Sequence, residues 1–237
     1  MTKTFSEQCA QCPSNGKSIF SENGHDLVAT ADPPIAHRYK KGEALFQQGT
    51  SSSGVFCLGE GVVKVFSSQD DGGEMIHRLA SGGDLVGHHY LNETKTHQRS
   101  AVAVEDTSCC YFSASSFTSS LEHRPQLLLK VLKKVEDELT VALDQNINLV
   151  KKSVRERLAS YFLEMSAQFG EASAEGMKIN VQLTREEIAS YLGTAHETAI
   201  RFISEFKALG FVIEKEKFFY VLEPKALEEL THSSHLG

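Results

Sequence analysis

The chain contains no apolar run long enough to cross a membrane, so we expect neither a membrane-spanning segment nor a membrane partner. Its first residues lack the basic segment and apolar stretch of a secretory signal. The five cysteines are odd in number and unevenly spaced, which is not the pattern of a disulfide framework. These absences predict a cytoplasmic protein, and the length of 237 residues predicts two domains.

A surplus of positive charge is also absent, because 24 Lys and Arg face 31 Asp and Glu and the formal net charge is −7. Such a balance argues against broad electrostatic binding to nucleic acid. The acidic groups are unevenly placed, however. Residues 151–237 hold 11 Lys and Arg and 13 Asp and Glu, a net of −2, so a net of −5 lies before residue 151. A nucleic-acid contact in residues 151–237 would therefore depend on a few well-placed groups.

The segment 183–211 is the most informative part of the chain. Thr184, with a glutamate three residues later, forms a capping-box pattern that predicts the start of a helix. Gly193 predicts the end of that helix, and Thr194, again followed by a glutamate three residues later, predicts the cap of a second one. Two short helices joined by a glycine turn are typical of a helix-turn-helix. A helical hairpin whose charged face simply meets water has the same spacing and is the alternative.

The second helix of this segment is expected to bury one face and expose the other. Arginine can donate two hydrogen bonds to guanine, and glutamate can accept one from the amino group of cytosine. Glu197 and Arg201 lie one turn apart near the start of the helix, where they could address neighbouring base pairs. Arg185, at the start of the first helix, is expected near a phosphate. The predicted DNA-binding residues are Arg185, Thr194, His196, Glu197, Thr198, Ile200 and Arg201.

Three flanking segments complete a unit over residues 151–237. After the second helix, FVIEKEKFFYVLEP alternates in the manner of two short strands around a polar turn at residues 214–217, which predicts a small wing. Upstream, SVRERLASYFLEMSAQF predicts an amphipathic helix and KINVQL a short strand. The whole unit is therefore predicted to be a winged helix-turn-helix domain.

Residues 36–122 have a different composition, with short runs rich in Val, Phe and Thr that glycines divide. Short strands joined by glycine turns predict an antiparallel β-barrel or jelly roll that encloses a pocket. Residues 1–35 precede it as a cysteine-containing segment. A jelly roll of the cupin type would make the chain a metal enzyme, but it lacks a clustered His and Glu set, a nucleophile motif and a phosphate loop, so we expect no enzyme. A regulator that binds a protein partner and not DNA is another alternative.

Residues 123–150 predict one long helix, because neither Gly nor Pro follows Pro125 as far as Val150. Seven residues in it recur at alternating steps of four and three, which is the spacing of a coiled-coil seam. Asn146 supports a dimer, since one buried Asn at such a seam fixes register and two-strandedness. A helix packed on its own barrel is the alternative. The predicted dimer-interface residues are Leu128, Leu132, Val135, Leu139, Ala142, Asn146 and Leu149.

This order of elements and four sequence stretches resemble the CRP/FNR family of bacterial transcription regulators. The stretches are YKKGEALFQQGTSSSGVFCLGEGVVKV, SGGDLVGHHY, VRERLASYFLEMS and residues 183–211. Within the last stretch, GTAHETAIR matches the family motif G-x-x-x-E-T-x-x-R, so Glu197 and Arg201 resemble the family's base-reading pair. His196 stands where the cyclic-AMP-responsive members have Arg, and Ile200 stands where FNR-type members have Ser, which affects the outer positions of the DNA half-site.

The resemblance implies an α+β fold with three parts: an N-terminal jelly-roll β-barrel like the cyclic-nucleotide-binding domains, a long dimerisation helix and a C-terminal winged helix-turn-helix. It also implies a homodimer that binds double-stranded DNA at a pseudo-palindrome and is controlled by a signal at the barrel. RNA polymerase is the expected further partner.

The resemblance leaves the effector open, and a cyclic nucleotide is the first candidate. Arg99 and Ser100 resemble the phosphate-binding pair of the cyclic-AMP-binding members, and a guanidinium with a hydroxyl suits a cyclic phosphate. In those members a Glu that accepts from the ribose hydroxyl follows the glycine that Gly87 matches, but here His88 follows it. Without that carboxylate the ribose hydroxyl lacks its hydrogen-bond acceptor, so cyclic AMP is not the expected effector. Arg99 could instead close a barrel turn or pair with an acid.

An iron–sulfur cluster is the second candidate. Cys9 and Cys12 resemble the N-terminal cysteine region of FNR-type oxygen sensors, and Cys110 (or Cys109) falls where their distant fourth ligand lies. Ser18 takes the place of the third ligand, and serine ligates iron poorly. The cysteines could also bind another metal, act as reactive thiols or be inherited from an ancestor without a present role.

Haem or another metal is the third candidate, through His88, His89 or His77, because the adjacent pair lies on the turn that contacts effectors in this family. The cofactor is therefore unknown from the sequence. The candidate effector-pocket residues are His88, His89, Arg99 and Ser100, and the candidate metal ligands are Cys9, Cys12 and Cys110.

Overall fold

The computed structural model describes residues 12, 14, 16–20, 33–69, 72–88 and 96–232. The chain divides into two compact units, Met1–Leu139 and Thr140–Gly237. This division falls inside the long helix, whereas the sequence predicts boundaries at its two ends. Within the described ranges, no helix combines the length and apolarity needed to cross a membrane.

The first unit contains two four-stranded antiparallel sheets, with strand orders β1-β8-β3-β6 and β2-β7-β4-β5. This is the arrangement of a jelly roll and confirms the predicted fold of this region. The strands are β1 Ile35–Tyr39, β2 Ala44–Phe46, β3 Gly54–Glu60, β4 Val62–Ser68, β5 Glu74–Ser81, β6 Leu85–Val86, β7 Ser100–Ala103 and β8 Thr107–Ser113.

The core of the roll follows from the alternation of side chains along each strand. Leu58, Val63 and Ala80 come from both sheets and are fully buried in one cluster. Neighbouring residues of β3 and β8 point to the opposite face, where Phe112 joins a second apolar cluster. Phe117 of helix α1, Ala114–His123, covers that face.

Helix α2, Pro125–Lys151, is 27 residues long and confirms the predicted helix. Only Leu127 is buried along it. All seven residues predicted for the coiled-coil seam are exposed. In the described part of the chain, helix α2 therefore presents an exposed apolar stripe.

The second unit is a winged helix-turn-helix, as predicted. Its helices are α3 Val154–Phe169, α4 Arg185–Leu192, α5 His196–Ala208 and α6 Pro224–His232, and its strands are β9 Gly170–Ser173, β10 Gly176–Ile179, β11 Val212–Lys215 and β12 Phe218–Val221. The strands form one sheet in the order β11-β12-β10-β9. Phe162 of α3 anchors the core, with its ring centroid 5.1 Å from that of Phe219 and 6.3 Å from that of Phe206.

The wing differs from the sequence prediction in its turn. The predicted polar turn at residues 214–217 is too long, because Glu214 and Lys215 pair with β12 and belong to β11. Only Glu216 and Lys217 remain as turn residues, and both have positive φ, 52° and 69°. Two central residues with positive φ define the tight hairpin turn whose twist matches that of the flanking strands. The sequence pattern also does not predict β9.

Candidate functional site

The turn between α4 and α5 is built from two helix caps. The predicted capping box at the start of α4 is confirmed, since the Thr184 hydroxyl accepts from the Glu187 N–H and the Glu187 carboxylate accepts from the Thr184 N–H. Gly193 ends α4 with φ 61° and ψ 48°, a left-handed conformation that glycine adopts without strain. A Cβ at this position would also lie 2.8 Å from Cδ2 of Leu149.

The predicted cap of the next helix is wrong. Helix α5 begins at His196 with Ala195 at its N-cap, and no side chain caps it. Thr194 instead completes the end of α4, because its N–H donates to the carbonyl of Ala189 at 3.0 Å while Gly193 donates to that of Ser190. These two bonds are those of a Schellman motif, so Thr194 serves the end of the first helix and not the start of the second.

Helix α5 has one buried face and one exposed face, as predicted, although Leu209, expected on the buried face, is 50% exposed. Ala199, Ile203 and Phe206 are buried. Glu197, Ile200 and Arg201 are exposed and lie together near the N-terminal end, and Thr198 is half-buried. The Arg201 guanidinium lies 4.8 Å from the centroid of the Phe202 ring. In the described part of the chain it has no carboxylate partner, so its hydrogen-bond donors face outward.

His196, also predicted on this face, is directed toward α4. Its Nε2 lies 3.2 Å from Oε1 of Glu186. Hydrogen bonds from the backbone N–H of Glu186 and from Thr184 lower the pKa of the Glu186 carboxyl, and His196 adds a smaller effect in the same direction. The exposed front of α5 is therefore formed mainly by Glu197, Ile200 and Arg201.

Arg157 of α3 holds the turn between α4 and α5, and sequence reasoning missed it. Its Nε donates to the carbonyl of Leu192 at 2.9 Å and its Nη2 to that of Gly193 at 3.4 Å. Its Nη1 donates to the carbonyl of Lys152 at 2.8 Å. One guanidinium thus satisfies the last carbonyls of α4, which have no partner within the helix. No local signal marks this role, because the partners lie 35 and 36 residues away.

Glu214 of β11 fixes the wing against the two helices. Its carboxylate lies 2.7 Å from Arg185 and 3.0 Å from Lys207. Burial alone would raise the pKa of Glu214, but the hydrogen bond from Lys207 and the charge of Arg185 keep it below the usual range. Arg185 also lies 4.7 Å from the centroid of the Phe219 ring. Arg185, expected near a phosphate, is thus engaged by the wing.

The first unit contains a small pocket beside β6. Its free volume is about 20 Å³, enough for a water molecule and far less than a nucleotide needs. Of the predicted effector residues, His88 and Arg99 line it, whereas Ser100 accepts from the N–H of Gln48 at 3.0 Å and His89 lies outside the described residues. The lining residues are Phe46, Val65, Arg78, Val86, Gly87, His88, His97, Gln98 and Arg99.

Helix α2 supplies a carboxylate to two of the residues that line this pocket. Glu138 Oε1 lies 2.9 Å from Nη2 of Arg78, and Oε2 lies 3.4 Å from Nε2 of His88. Arg78 Nη2 also donates to the carbonyl of Leu85 at 2.7 Å. Arg99, in contrast, has no carboxylate partner among the residues that the structure describes. Sequence reasoning found His88 and Arg99 but neither Arg78 nor Glu138.

Two of the three histidines considered as ligands of haem or another metal lie among the described residues. His77 Nε2 lies 2.9 Å from the Ser67 hydroxyl, and burial, with the charge of Arg99, lowers the pKa of His77. His88 faces Glu138, as above, and His89 is not among the described residues. The described side chains thus engage His77 and His88 separately, with Ser67 and with Glu138.

The candidate metal ligands Cys12 and Cys110 do lie together, with Cys57 and Ser18, around a small apolar cavity. The Ser18 hydroxyl lies 3.4 Å from the sulfur of Cys57. Burial, with a smaller effect of Cys12, raises the pKa of Cys110 to about 11, so its thiol is protonated at neutral pH. In the described ranges no three His, Cys, Asp or Glu side chains are arranged to hold a metal ion. Cys9 lies outside those ranges, and the described residues do not fit a cluster.

Comparison with known proteins covers both units. Residues 36–124 match the family described as cyclic nucleotide-binding domain, and residues 156–230 match the Crp-like helix-turn-helix domain. The transcriptional activator protein anr of Pseudomonas aeruginosa is 32% identical to this chain over 184 residues, covering 78% of this chain and 75% of its own.

Two further proteins are similar over most of their length. The transcriptional activator protein FnrA of Stutzerimonas stutzeri is 30% identical over 217 residues, covering 91% of this chain and 88% of its own. The solved structure of FixK2 from Bradyrhizobium japonicum is 25% identical, covers 83% of this chain and 96% of its own, and superimposes with a TM-score of 0.73.

Arg157→Ala tests the cap on α4. The variant leaves the carbonyls of Leu192 and Gly193 without their charged donor, so we expect the free energy of unfolding of the second unit to fall by about 2 kcal/mol. Urea denaturation measures it. Arg155→Ala is the matched control, because the pair of Arg155 with Glu205 is one-third exposed and contributes less than about 1 kcal/mol. Equal losses in the two variants would contradict the capping role.

Proposed function

Because this chain belongs to the CRP/FNR family of bacterial transcription regulators, we propose that it binds a pseudo-palindromic site in double-stranded DNA as a homodimer. Its helix-turn-helix domain makes it a DNA-binding transcription regulator, and relatives such as anr and FnrA are transcriptional activators. A signal at the jelly roll would control it.

The exposed front of α5 carries this proposal. A recognition helix enters the major groove with its N-terminal residues at the base edges. Glu197 and Arg201 are exposed there, and Arg201 has its donors free of any carboxylate in the described chain. We assign guanine reading to Arg201 and cytosine reading to Glu197, with Thr194, Thr198 and Ile200 beside them. Because His196 contacts Glu186, we assign His196 a smaller part in DNA binding than Glu197 and Arg201.

Arg185 receives a different assignment from the phosphate contact expected of it. Its contact with Glu214 and the Phe219 ring supports a role in holding the wing beside the recognition helix. Lys207, which shares Glu214, supports the same wing from α5. A wing fixed in this way would present Lys217 at its tip, and a lysine there suits a phosphate.

The exposed stripe of α2 supports the homodimer. Leu132 and Leu139 are 59% and 58% exposed, and burying a side chain of this kind contributes about 1.5–3 kcal/mol. The spacing by fours and threes fits a second copy of the same helix, and Asn146 fits the register position of a two-stranded coil. The partners of the protein are therefore a second copy of this chain, double-stranded DNA and, in the activators of this family, RNA polymerase. The cytoplasm is the proposed location.

The pocket of the jelly roll supports an effector other than cyclic AMP. Its free volume of about 20 Å³ is too small for a nucleotide without rearrangement. His88 occupies the position where a ribose-binding carboxylate would be needed, and Ser100 accepts from Gln48. Arg99 remains able to hold an anion. Neither a haem nor an iron–sulfur cluster is supported by the described side chains.

A metal enzyme with a cupin-type roll and a regulator that binds only a protein partner are the rival functions. The family relation makes both less suitable explanations, because its members are transcription regulators. Neither a metal enzyme nor a regulator that binds only a protein partner requires a recognition helix whose guanidinium has no carboxylate partner among the described residues. Binding to DNA separates the three functions directly.

Selection from random double-stranded DNA tests the function and the role of Arg201 together. The wild-type protein should enrich an inverted repeat, with half-sites centred about 10 base pairs apart. Arg201→Ala should lose about 1–3 kcal/mol on that site and relax the choice at one guanine in each half. Arg201→Lys, the control, keeps the charge and so keeps affinity for random duplexes. Equal losses of Arg201→Ala on selected and random DNA would assign the residue to the backbone.

Leu139→Glu tests the seam. Two copies of the new carboxylate would meet in a buried contact, so the variant should sediment as a folded monomer. Val141→Glu is the control, because Val141 is also exposed, at 43%, but lies about 200° further round the helix. A stable dimer of Leu139→Glu would remove this interface.

Titration calorimetry tests the absence of a cyclic AMP response. We expect no saturable binding at micromolar concentrations, because a ribose hydroxyl left unpaired in a buried pocket costs about 1–3 kcal/mol. Inorganic phosphate is the control for weak anion binding at Arg99. Micromolar binding of cyclic AMP with a rise in DNA affinity would contradict the assignment and give His88 the ribose contact.

A further inference from the structure

Within the first unit, two ion pairs fix helix α2 to the corner between β5 and β6. Lys134 Nζ lies 2.9 Å from Oδ1 of Asp84, and one helical turn later Glu138 Oε1 lies 2.9 Å from Nη2 of Arg78. Asp84 is itself held in place, since its other oxygen accepts from the N–H of Ser81 at 2.9 Å. The signs alternate along the helix and along the roll, so the two pairs fit in only one register.

The second of these pairs differs from a surface ion pair in its burial. The side chains of Arg78, His88 and Glu138 are only 20%, 10% and 22% exposed. Charges partly withdrawn from water interact more strongly than exposed ones and are screened less by salt. The carboxylate of Glu138 therefore lies between the guanidinium of Arg78 and the imidazole of His88, whose Nε2 is 3.4 Å from Oε2.

We propose that Arg78 and His88, which line the pocket of the jelly roll, form a carboxylate-binding site and that its ligand is Glu138 of the same chain. The guanidinium of Arg78 and the imidazole of His88 provide the contacts that an anionic effector would otherwise take. A small carboxylate from solution is then a competitor for these contacts and not a required activator. This proposal deepens the proposed function, and the DNA-binding measurements that test it rest on that function.

Glu138 lies within the part of helix α2 that carries the proposed dimer seam. Leu139 is the next residue, and Val135 lies three residues before Glu138, so the anchor stands between two residues of the proposed seam. Each residue advances the helix by 100°, and a helix fixed at Glu138 has the rotation of its apolar stripe fixed as well. The roll thus sets the orientation of the dimer seam without a bound small molecule.

Chemical rescue of Glu138→Ala tests the proposal. The truncation removes the carboxylate and leaves space that propionate, which carries the same carboxylate, can fill. We expect the variant to bind its selected duplex about tenfold more weakly than the wild type and to unfold at a lower temperature. Sodium propionate should restore both quantities at constant ionic strength, whereas propionamide, which is similar in shape but uncharged, should restore neither.

Two variants control the rescue. Lys134→Ala removes the neighbouring ion pair and should not respond to propionate, because it opens no carboxylate site. Glu138→Gln keeps the size of the side chain without its charge, so it should also weaken DNA binding, and propionate should not restore the affinity. If Glu138→Ala does not fold, Glu138→Gln takes its place in the DNA-binding measurement. The proposal is overturned if Glu138→Ala and Glu138→Gln bind DNA with the affinity of the wild type. It is also overturned if propionate and propionamide have equal effects on Glu138→Ala.

The two readouts separate this proposal from the proposed function. If the wild-type protein binds no duplex, the proposed function fails, while the effect of propionate on the unfolding temperature of Glu138→Ala still decides the carboxylate site. If the wild type binds DNA and propionate leaves both quantities of Glu138→Ala unchanged, the carboxylate site fails and the DNA function stands.

Discussion

The exposed apolar stripe of helix α2 is the constraint on which the rest of the structure depends. Only Leu127 is buried along the 27 residues of this helix, so its contacts with the described part of the chain leave most of its apolar surface exposed. In the proposed homodimer, burial of the stripe against a second copy would supply these apolar contacts. The same pairing would relate two recognition helices by a two-fold axis, so the proposed dimer and the proposed pseudo-palindromic site follow from one physical requirement.

The proposed dimerisation also explains how a chain with a net charge of −7 can bind DNA. Each α5 offers the guanidinium of Arg201, which has no carboxylate partner among the described residues, whereas three other basic side chains of this unit hold it together. Arg185 and Lys207 contact Glu214, and Arg157 caps the turn. Specific binding then depends on a rigid presentation of few groups, doubled by symmetry, more than on a broad basic surface.

The sequence predicted the elements whose signals are local. The capping box at Thr184 and the left-handed Gly193 identify the turn, because their hydrogen bonds lie within a few residues. Thr194 was assigned to the wrong helix since Thr is a good cap and the competing Schellman bond to Ala189 cannot be read from spacing. Helix α2 is confirmed, because an uninterrupted helical stretch is visible in sequence alone, whereas the dimer seam on it stays a prediction.

Contacts that span many residues were beyond sequence reasoning. Arg157 reaches the turn 35 residues away, and Glu138 reaches Arg78 on a different element. Both are charged residues on amphipathic helices, where the sequence indicates only a solvated face. His88 and Arg99 were found because the family resemblance marks their positions, whereas the engagement of Ser100 by Gln48 depends on the three-dimensional fold.

Native mass spectrometry of the wild-type protein on its selected duplex tests the central claim most directly, because it counts chains per DNA molecule. A dimer held by α2 predicts two chains on each duplex and a free protein of twice the chain mass. A stable, sequence-specific complex that contains one chain would contradict the account, since the stripe of α2 would then be exposed in the functional state.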